Sequence, residues 1–86
     1  MTDKKNQKLR YEIINEIGII SKSNSGWQKE LNRISWDGKE PKYDIRDWSP
    51  NHEKMGKGIT LNEQEIRTLK DQLLAEVDFL DENADT

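Results

Sequence analysis

The sequence contains no cysteine, and no apolar stretch in it approaches the length of a membrane span. The missing thiols exclude disulfide bridges and thiolate metal sites, so cysteine chemistry does not indicate a compartment. Residues 1–10 also lack the hydrophobic centre of a secretion signal. Together these absences predict a soluble protein of the cytoplasm.

Hydrophobic residues are scarce, at 31% of the 86 residues. A chain of this length builds one small domain and buries a modest fraction of its surface. A monomer with so few apolar side chains would be marginally stable. We therefore expect a second subunit to complete part of the core.

Residue types that carry catalysis are equally sparse. His52 is the only histidine, it is followed by Glu53, and no second ligand follows at the spacing of a metal site. No serine arrangement indicates a nucleophile activated by a base. We therefore expect no enzymatic activity, no catalytic residue, no metal site and no cofactor.

The formal net charge of -3 is unevenly distributed. Residues 1–60 have 12 Lys and Arg against 9 Asp and Glu, whereas residues 61–86 have 2 against 8. A mildly basic part beside an acidic part suggests a polyanionic partner. The alternative is a solvated acidic helix with no functional meaning, and charge alone leaves both open.

Four segments have the composition of β-strands, at about residues 9–21, 27–36, 42–48 and 55–61. The first is dense in isoleucine with an interrupted alternation, which indicates a bulge. A helix over Leu9 to Ile20 competes, but the isoleucine density favours a strand. In the second segment Leu31 and Ile34 have opposite parity, so its inward face stays open.

The third segment alternates most clearly. Tyr43 and Ile45 share one face, and Ile59 and Leu61 of the fourth segment are expected to point the same way. Asp37-Gly38 predicts a tight hairpin turn before the third segment. The opposite face of the third segment then carries Lys42, Asp44, Arg46 and Trp48.

A single helix is predicted over about residues 63–81. Asn62 is a favourable N-cap, and Glu65 completes a capping-box pattern. Apolar residues recur at spacings of three and four: Ile66, Leu69, Leu73, Val77 and Leu80. Leu74 and Phe79 widen this stripe beyond what one small sheet can cover, which suggests a helix of a second subunit.

These elements predict an α+β fold, a four-stranded antiparallel sheet followed by one C-terminal helix (ββββα). Residues 9–82 would form a single domain between a disordered tail at 1–8 and a short tail at 83–86. We expect the helix to cover one face of the sheet and to leave open the face that holds Lys42, Arg46 and Trp48.

An open face with an indole beside a guanidinium suits an unpaired polynucleotide. Bases stack on tryptophan, and arginine contacts phosphate or stacks in turn. Trp48 packed over the sheet edge as core is the alternative, which the cations on the same face disfavour. Trp36 with Lys39 brackets the Asp37-Gly38 turn and offers a second aromatic and cation, although packing at a strand end is equally consistent.

Three further lysines are weaker candidates. Lys54 and Lys57 frame the glycines of the fourth segment, where backbone amides are accessible to phosphate oxygens. Lys29, next but one to Trp27, is more simply explained by solvation, and Trp27 itself by packing.

Two motifs make the chain resemble a known family. Asp44-Ile45-Arg46-Asp47-Trp48, followed by Lys57-Gly58-Ile59-Thr60-Leu61 and an acidic helix, resembles the transcriptional coactivator positive-cofactor-four family. The short bacterial members of YdbC type are the most similar. The resemblance extends over about residues 9–80.

The resemblance implies a homodimer paired through the helices, with single-stranded DNA lying across the sheets and little sequence preference. The implied contacts are Trp36, Lys39, Arg46, Trp48 and Lys57, with Lys29, Lys42 and Lys54 as further candidates. It also implies a nucleoid-associated protein whose partners include transcription or replication machinery.

The chain departs from eukaryotic members in two ways. Asp37 stands at a hairpin position that is basic there, which should weaken phosphate binding. The serine-rich regulatory segment that precedes the eukaryotic domain is missing. A general single-strand binder in transcription, replication or repair is therefore expected, rather than a coactivator controlled by phosphorylation. The alternatives are a module that binds an acidic or extended peptide, and a protein that binds mainly RNA.

Overall fold

The computed structural model describes residues 10–84. Its elements are β1 (Tyr11–Lys22), β2 (Gln28–Trp36), β3 (Lys42–Trp48), a 3-10 turn (Pro50–His52), β4 (Met55–Leu61) and α1 (Glu63–Glu82). The predicted ββββα order is confirmed. The predicted tail at 1–8 and the last two residues of the predicted tail at 83–86 lie outside the described residues.

The four strands form one sheet in the order β1-β2-β3-β4, and each is antiparallel to the next. The β2–β3 connection begins with a tight turn in which Asp37 and Gly38 have φ values of 53° and 74°. The amide of Lys39 donates to the carbonyl of Trp36 at 2.9 Å. Two positive φ values in a four-residue turn define type I′, the turn that Asp-Gly predicts.

The strand prediction for β1 is correct and the competing helix is wrong. Register shifts interrupt the β1–β2 pairing between Ile13 and Asn15, between Glu16 and Gly18, and between Ile19 and Ser21. Such bulges bend and twist a strand. They explain why the isoleucines of β1 do not keep a strict alternation.

The sheet bends over one face. Trp36 pairs with Tyr11, whereas Trp48 pairs with Gln28 at the other end of β2. The ring of Tyr11 nevertheless lies 5.6 Å from both indoles. We call the face of the sheet that holds these three rings the concave face. Its residues on β2 and β3 share this face by strand pairing: Glu30, Asn32, Ile34 and Trp36 of β2 and Asp44, Arg46 and Trp48 of β3. The β2–β3 pairing thereby shows that Ile34 lies on the concave face and Leu31 on the opposite face, which the sequence had left open.

The core lies on the concave face, which corrects the prediction of an open surface there. Ile34 and Trp48 are both fully buried, as are the polar side chains of Asn32 and Asp44. The physical reason is the bend, because it brings side chains from distant register positions into contact with one another.

The opposite side, the outer face, holds Leu31, Tyr43, Ile45, Ile59 and Leu61. The prediction that α1 covers this face is wrong, since Ile59 is 54% exposed. Ile66 and Leu69 of α1 are half-buried, whereas residues 70–84 are exposed. The helix therefore meets the sheet only near its start and then continues away from it.

The start of α1 has the predicted capping box. The side chain of Asn62 accepts from the amide of Glu65 at 2.8 Å, and the carboxylate of Glu65 accepts from the amide of Asn62 at 2.8 Å. These bonds satisfy backbone donors that the first turn leaves free. In the described part of the chain, no helix is long and apolar enough to cross a membrane.

Candidate nucleic-acid interface

Four rings form an aromatic cluster on the concave face: Trp36, Tyr11, Trp48 and His52. Tyr11 contacts Trp36 with ring planes tilted by 43° and Trp48 with planes tilted by 49°. His52 lies on Trp48 with a centroid distance of 4.6 Å. The rings are thus arranged in the order Trp36, Tyr11, Trp48, His52.

Sequence reasoning missed two members of this cluster. Tyr11 has the parity of Ile13, which is the half-buried residue of β1, and this shared parity was a usable signal. His52 belongs to the 3-10 turn and has a φ of 59°. No periodicity extends into such a turn, so its approach to Trp48 could not be derived from spacing.

The prediction that the ring of Trp48 is exposed is wrong, since Trp48 has 0% exposure. It is covered by Tyr11 and His52 and not by α1. The indole Nε1 atoms of Trp36 and Trp48 are buried, and neither has a hydrogen-bond acceptor among residues 10–84. Buried donors without acceptors are uncommon in folded proteins, because each costs part of its lost hydration.

Arg46 is held firmly beside the aromatic rings. Its Nε donates to Asp44 Oδ1 at 2.7 Å and its Nη2 donates to Asp44 Oδ2 at 2.8 Å. The guanidinium lies 4.9 Å from the ring centre of Trp36, a cation–π distance. A Cβ added at Gly58 would overlap Arg46, so this pairing position requires a glycine.

A second carboxylate, that of Glu30, is buried on the same face. His52 Nε2 lies 3.0 Å from both of its oxygens, and the amides of Asn32 and Gln28 donate at 3.1 Å and 2.8 Å. Burial acts to raise the pKa of Glu30, but the hydrogen bonds from these three residues outweigh burial and lower the pKa. The concave face therefore contains a buried carboxylate, that of Glu30, whose negative charge is held by hydrogen bonds from neighbouring side chains.

The predicted cations do not all reach the concave face. Lys42 pairs with Ile34 and therefore has the parity of that face, and Lys39 lies in the turn after Trp36. Lys29 instead pairs across the strands with Asp47, to which its Nζ donates at 3.2 Å. This pair has the parity of the outer face, so Lys29 is not joined to the aromatic cluster.

The remaining two lysines flank the start of β4. Lys54 immediately precedes the strand and Lys57 follows its first residues, where the β3–β4 register shifts. Both are exposed. The structure thus brings together Trp36, Arg46 and Trp48, with Lys39 and Lys42 near the Trp36 end.

The site offers aromatic rings and cations. Within residues 10–84, no cluster of three or more His, Asp or Glu side chains is arranged to hold a metal ion. The single histidine is engaged by Glu30 and Trp48.

Comparison with known proteins shows which family the sequence resembles. Residues 23–72 match the family described as Transcriptional Coactivator p15 (PC4). A protein of Treponema pallidum (strain Nichols), described as uncharacterized, is 50% identical over 68 residues, which are 79% of this chain and 80% of that relative. The matched range contains all eight of the predicted contact residues.

Proposed function

The chain belongs to the Transcriptional Coactivator p15 (PC4) family, and from that membership we propose that it binds single-stranded DNA with little sequence preference. The family supports a nucleic-acid-binding, coactivator-like role. Base stacking and phosphate neutralisation on the concave face would provide the affinity. The cellular role would be in transcription regulation, replication or repair, in the cytoplasm and near the nucleoid, beside the machinery of these processes.

The observation that carries this proposal is the meeting of Trp36, Arg46 and Trp48 on one curved face. The Arg46 guanidinium lies over Trp36, and both indoles contact the same tyrosine ring. Stacking of a base on an aromatic side chain contributes about 1–3 kcal/mol and tolerates any sequence, because every base has a flat face. Bases would stack on the rings of Trp36 and Tyr11, which are partly exposed, and on Trp48 only after a ring that covers it has moved, because Trp48 has no exposed surface. Such stacking recognises an unpaired strand without reading its bases.

Exposed lysines supply the second component. Lys39, Lys42, Lys54 and Lys57 are all exposed, so their charges are available to phosphate. Arg46 differs, since Asp44 already neutralises its charge within the face. We therefore assign phosphate contact mainly to the lysines, and we assign to Arg46 the orientation of Trp36 and stacking with bases.

We also propose a homodimer, and the apolar surface that the chain leaves uncovered supports it. Leu73, Leu74, Val77, Phe79 and Leu80 of α1 are each 48–56% exposed, and Ile59 on the outer face is 54% exposed. Exposed apolar surface of this extent marks an interaction site in soluble proteins. A second copy, paired through α1, would bury it.

The proposal is tested by titrating a fluorescently labelled oligo-dT strand at several salt concentrations and following its anisotropy. Binding should weaken as salt rises, with a slope in log–log form of about 0.7 for each phosphate neutralised. An rU strand added as competitor distinguishes DNA from RNA preference. The proposal is wrong if the anisotropy of the dT strand does not change at low salt.

Lysine variants distinguish binding of the strand at the concave face from nonspecific attraction of the strand to any surface lysine. Lys39→Ala should reduce the salt slope by about 0.7 and weaken binding alike for every sequence. Lys70→Ala is the matched control, since Lys70 is an exposed lysine of α1. Equal effects of the two variants would show that the strand does not bind at the concave face.

A further inference from the structure

The ring of Tyr11 occupies the space between the two tryptophans that the proposed function uses for stacking. Its centroid is 5.6 Å from each indole, and it belongs to the first residue of β1. Its residue is 36% exposed although both of its neighbours are more deeply buried. The ring therefore closes the space between the indoles from the solvent side.

The space it fills has the character of a site for one nucleobase. Each indole centroid lies 5.6 Å from that of Tyr11, with ring planes tilted by 43° and 49°, and aromatic rings are what an unpaired base stacks on. The Nε1 donors of Trp36 and Trp48 are buried without an acceptor in the described part of the chain. The phenol offers the indoles an aromatic surface, but its hydroxyl satisfies neither donor, whereas bases and phosphates carry several acceptor oxygens and nitrogens.

We propose that Tyr11 is an internal substitute for a nucleobase: its ring occupies a base site between Trp36 and Trp48 and leaves when a strand binds. This inference rests on the proposed function, and it adds both the position of one base and a residue that competes for it. The ligand class is any unpaired base with an acceptor within reach of an indole N–H.

Tyr11 is well placed to leave. It forms the terminal pair of the β1–β2 ladder, opposite Trp36. The backbone stays paired beyond it, since the carbonyl of Arg10 accepts from the amide of Asp37 at 2.8 Å, so release of the ring requires rotation of the side chain and not opening of the strand. Such a rotation releases the ring without disturbing the other strands, and side chains at the ends of elements move at lower cost than those at their centres.

The test compares wild type, Tyr11→Ala and Tyr11→Phe for binding of labelled oligo-dT. Two ring contacts of this geometry are worth about a tenfold change in an equilibrium constant, so Tyr11→Ala should bind about tenfold more tightly. Tyr11→Phe keeps the competing ring and should bind within about twofold of wild type. In the free protein, Tyr11→Ala should also increase the quenching of tryptophan fluorescence by acrylamide.

The outcomes are distinct. If wild type binds and Tyr11→Ala binds equally or more weakly, the ring is not a competitor and the inference is overturned, while the proposed function stands. If no variant binds, both fail. A thermal melt establishes that Tyr11→Ala is folded; should it not be, Tyr11→Leu, which keeps apolar bulk but no flat ring, replaces it with the same expectation.

Discussion

The concave face and the helix side of this molecule treat their side chains in opposite ways. On the concave face, the carboxylates of Glu30 and Asp44 are buried and each is hydrogen-bonded by neighbouring donors. On the helix side, Leu73 and Phe79 are 51% and 56% exposed. Charged groups are thus inside and apolar groups outside, the reverse of the usual arrangement.

On the concave face the buried charges have hydrogen-bond partners within the chain, whereas the apolar side chains of the helix have no partner among residues 10–84 that covers them. Buried charges on the concave face are tolerable because each has close partners, and removal of one partner should be costly. Apolar side chains on α1 have no such compensation, and a partner would relieve them. The two sides should therefore respond differently to mutation: the concave face through stability, and the helix through association.

Asp44→Ala should produce the largest effect. Asp44 is fully buried and binds Arg46 through two hydrogen bonds, and the Arg46 side chain is itself only 14% exposed. Its loss leaves a largely buried guanidinium without its counterion, which costs about 3–5 kcal/mol. The free energy of unfolding, measured by urea titration at fixed protein concentration, provides the check.

Asp47→Ala is the control for Asp44→Ala. It removes a carboxylate from the same strand, but its ion pair with Lys29 has side chains that are 46% and 44% exposed. A pair in contact with water contributes less than about 1 kcal/mol. Similar losses for the two variants would show that burial of the Arg46 pair does not make it more costly to break than the exposed Lys29 pair.

Leu73→Glu tests the helix side and should have the next largest effect. A charge placed in the centre of the proposed α1 interface should raise the dimer dissociation constant by about thirtyfold or more, because burial of an unpaired carboxylate is unfavourable. Sedimentation equilibrium measures this constant. Gln72→Glu adds the same charge to the neighbouring exposed position and should change it little. A wild-type protein that sediments as a monomer at micromolar concentration contradicts the dimer itself.

The sequence predicts local structure well in this chain. The Asp37-Gly38 turn, the capping box of Asn62 and Glu65, and the alternation of β3 each depend on neighbours in sequence, and each appears in the structure. These features follow from backbone preferences that a few residues determine. For the same reason, the ββββα order was predictable without any knowledge of packing.

Which face would be buried was not predictable, because curvature is a property of the whole sheet. Three register shifts in β1 and one in β4 accumulate into a bend that no single segment reveals. The bend closes the face predicted to be open and brings Tyr11 and His52 to Trp48. The parity of Arg46 and Trp48 placed them correctly on one face, while their exposure depended on contacts from far along the chain.

Removal of the hydrogen bonds of the Glu30 carboxylate should have the smallest effect on stability, and this effect should depend on pH. Because the pKa of Glu30 is lowered in the folded protein, the folded state holds its proton less readily than the unfolded chain does. Its contribution to stability is therefore complete above the ordinary glutamate pKa of about 4.3 and is lost as pH falls through the lower folded value.

Glu30→Gln should cost about 1 kcal/mol at neutral pH, since a neutral amide bonds His52 less strongly than a carboxylate does. Thermal melts between neutral and acid pH should show this difference shrinking towards acid, whereas Glu53→Gln, at an exposed position beside His52 in the chain, should follow wild type throughout. A constant gap between Glu30→Gln and wild type across that range would mean that the buried carboxylate titrates no differently from an exposed one.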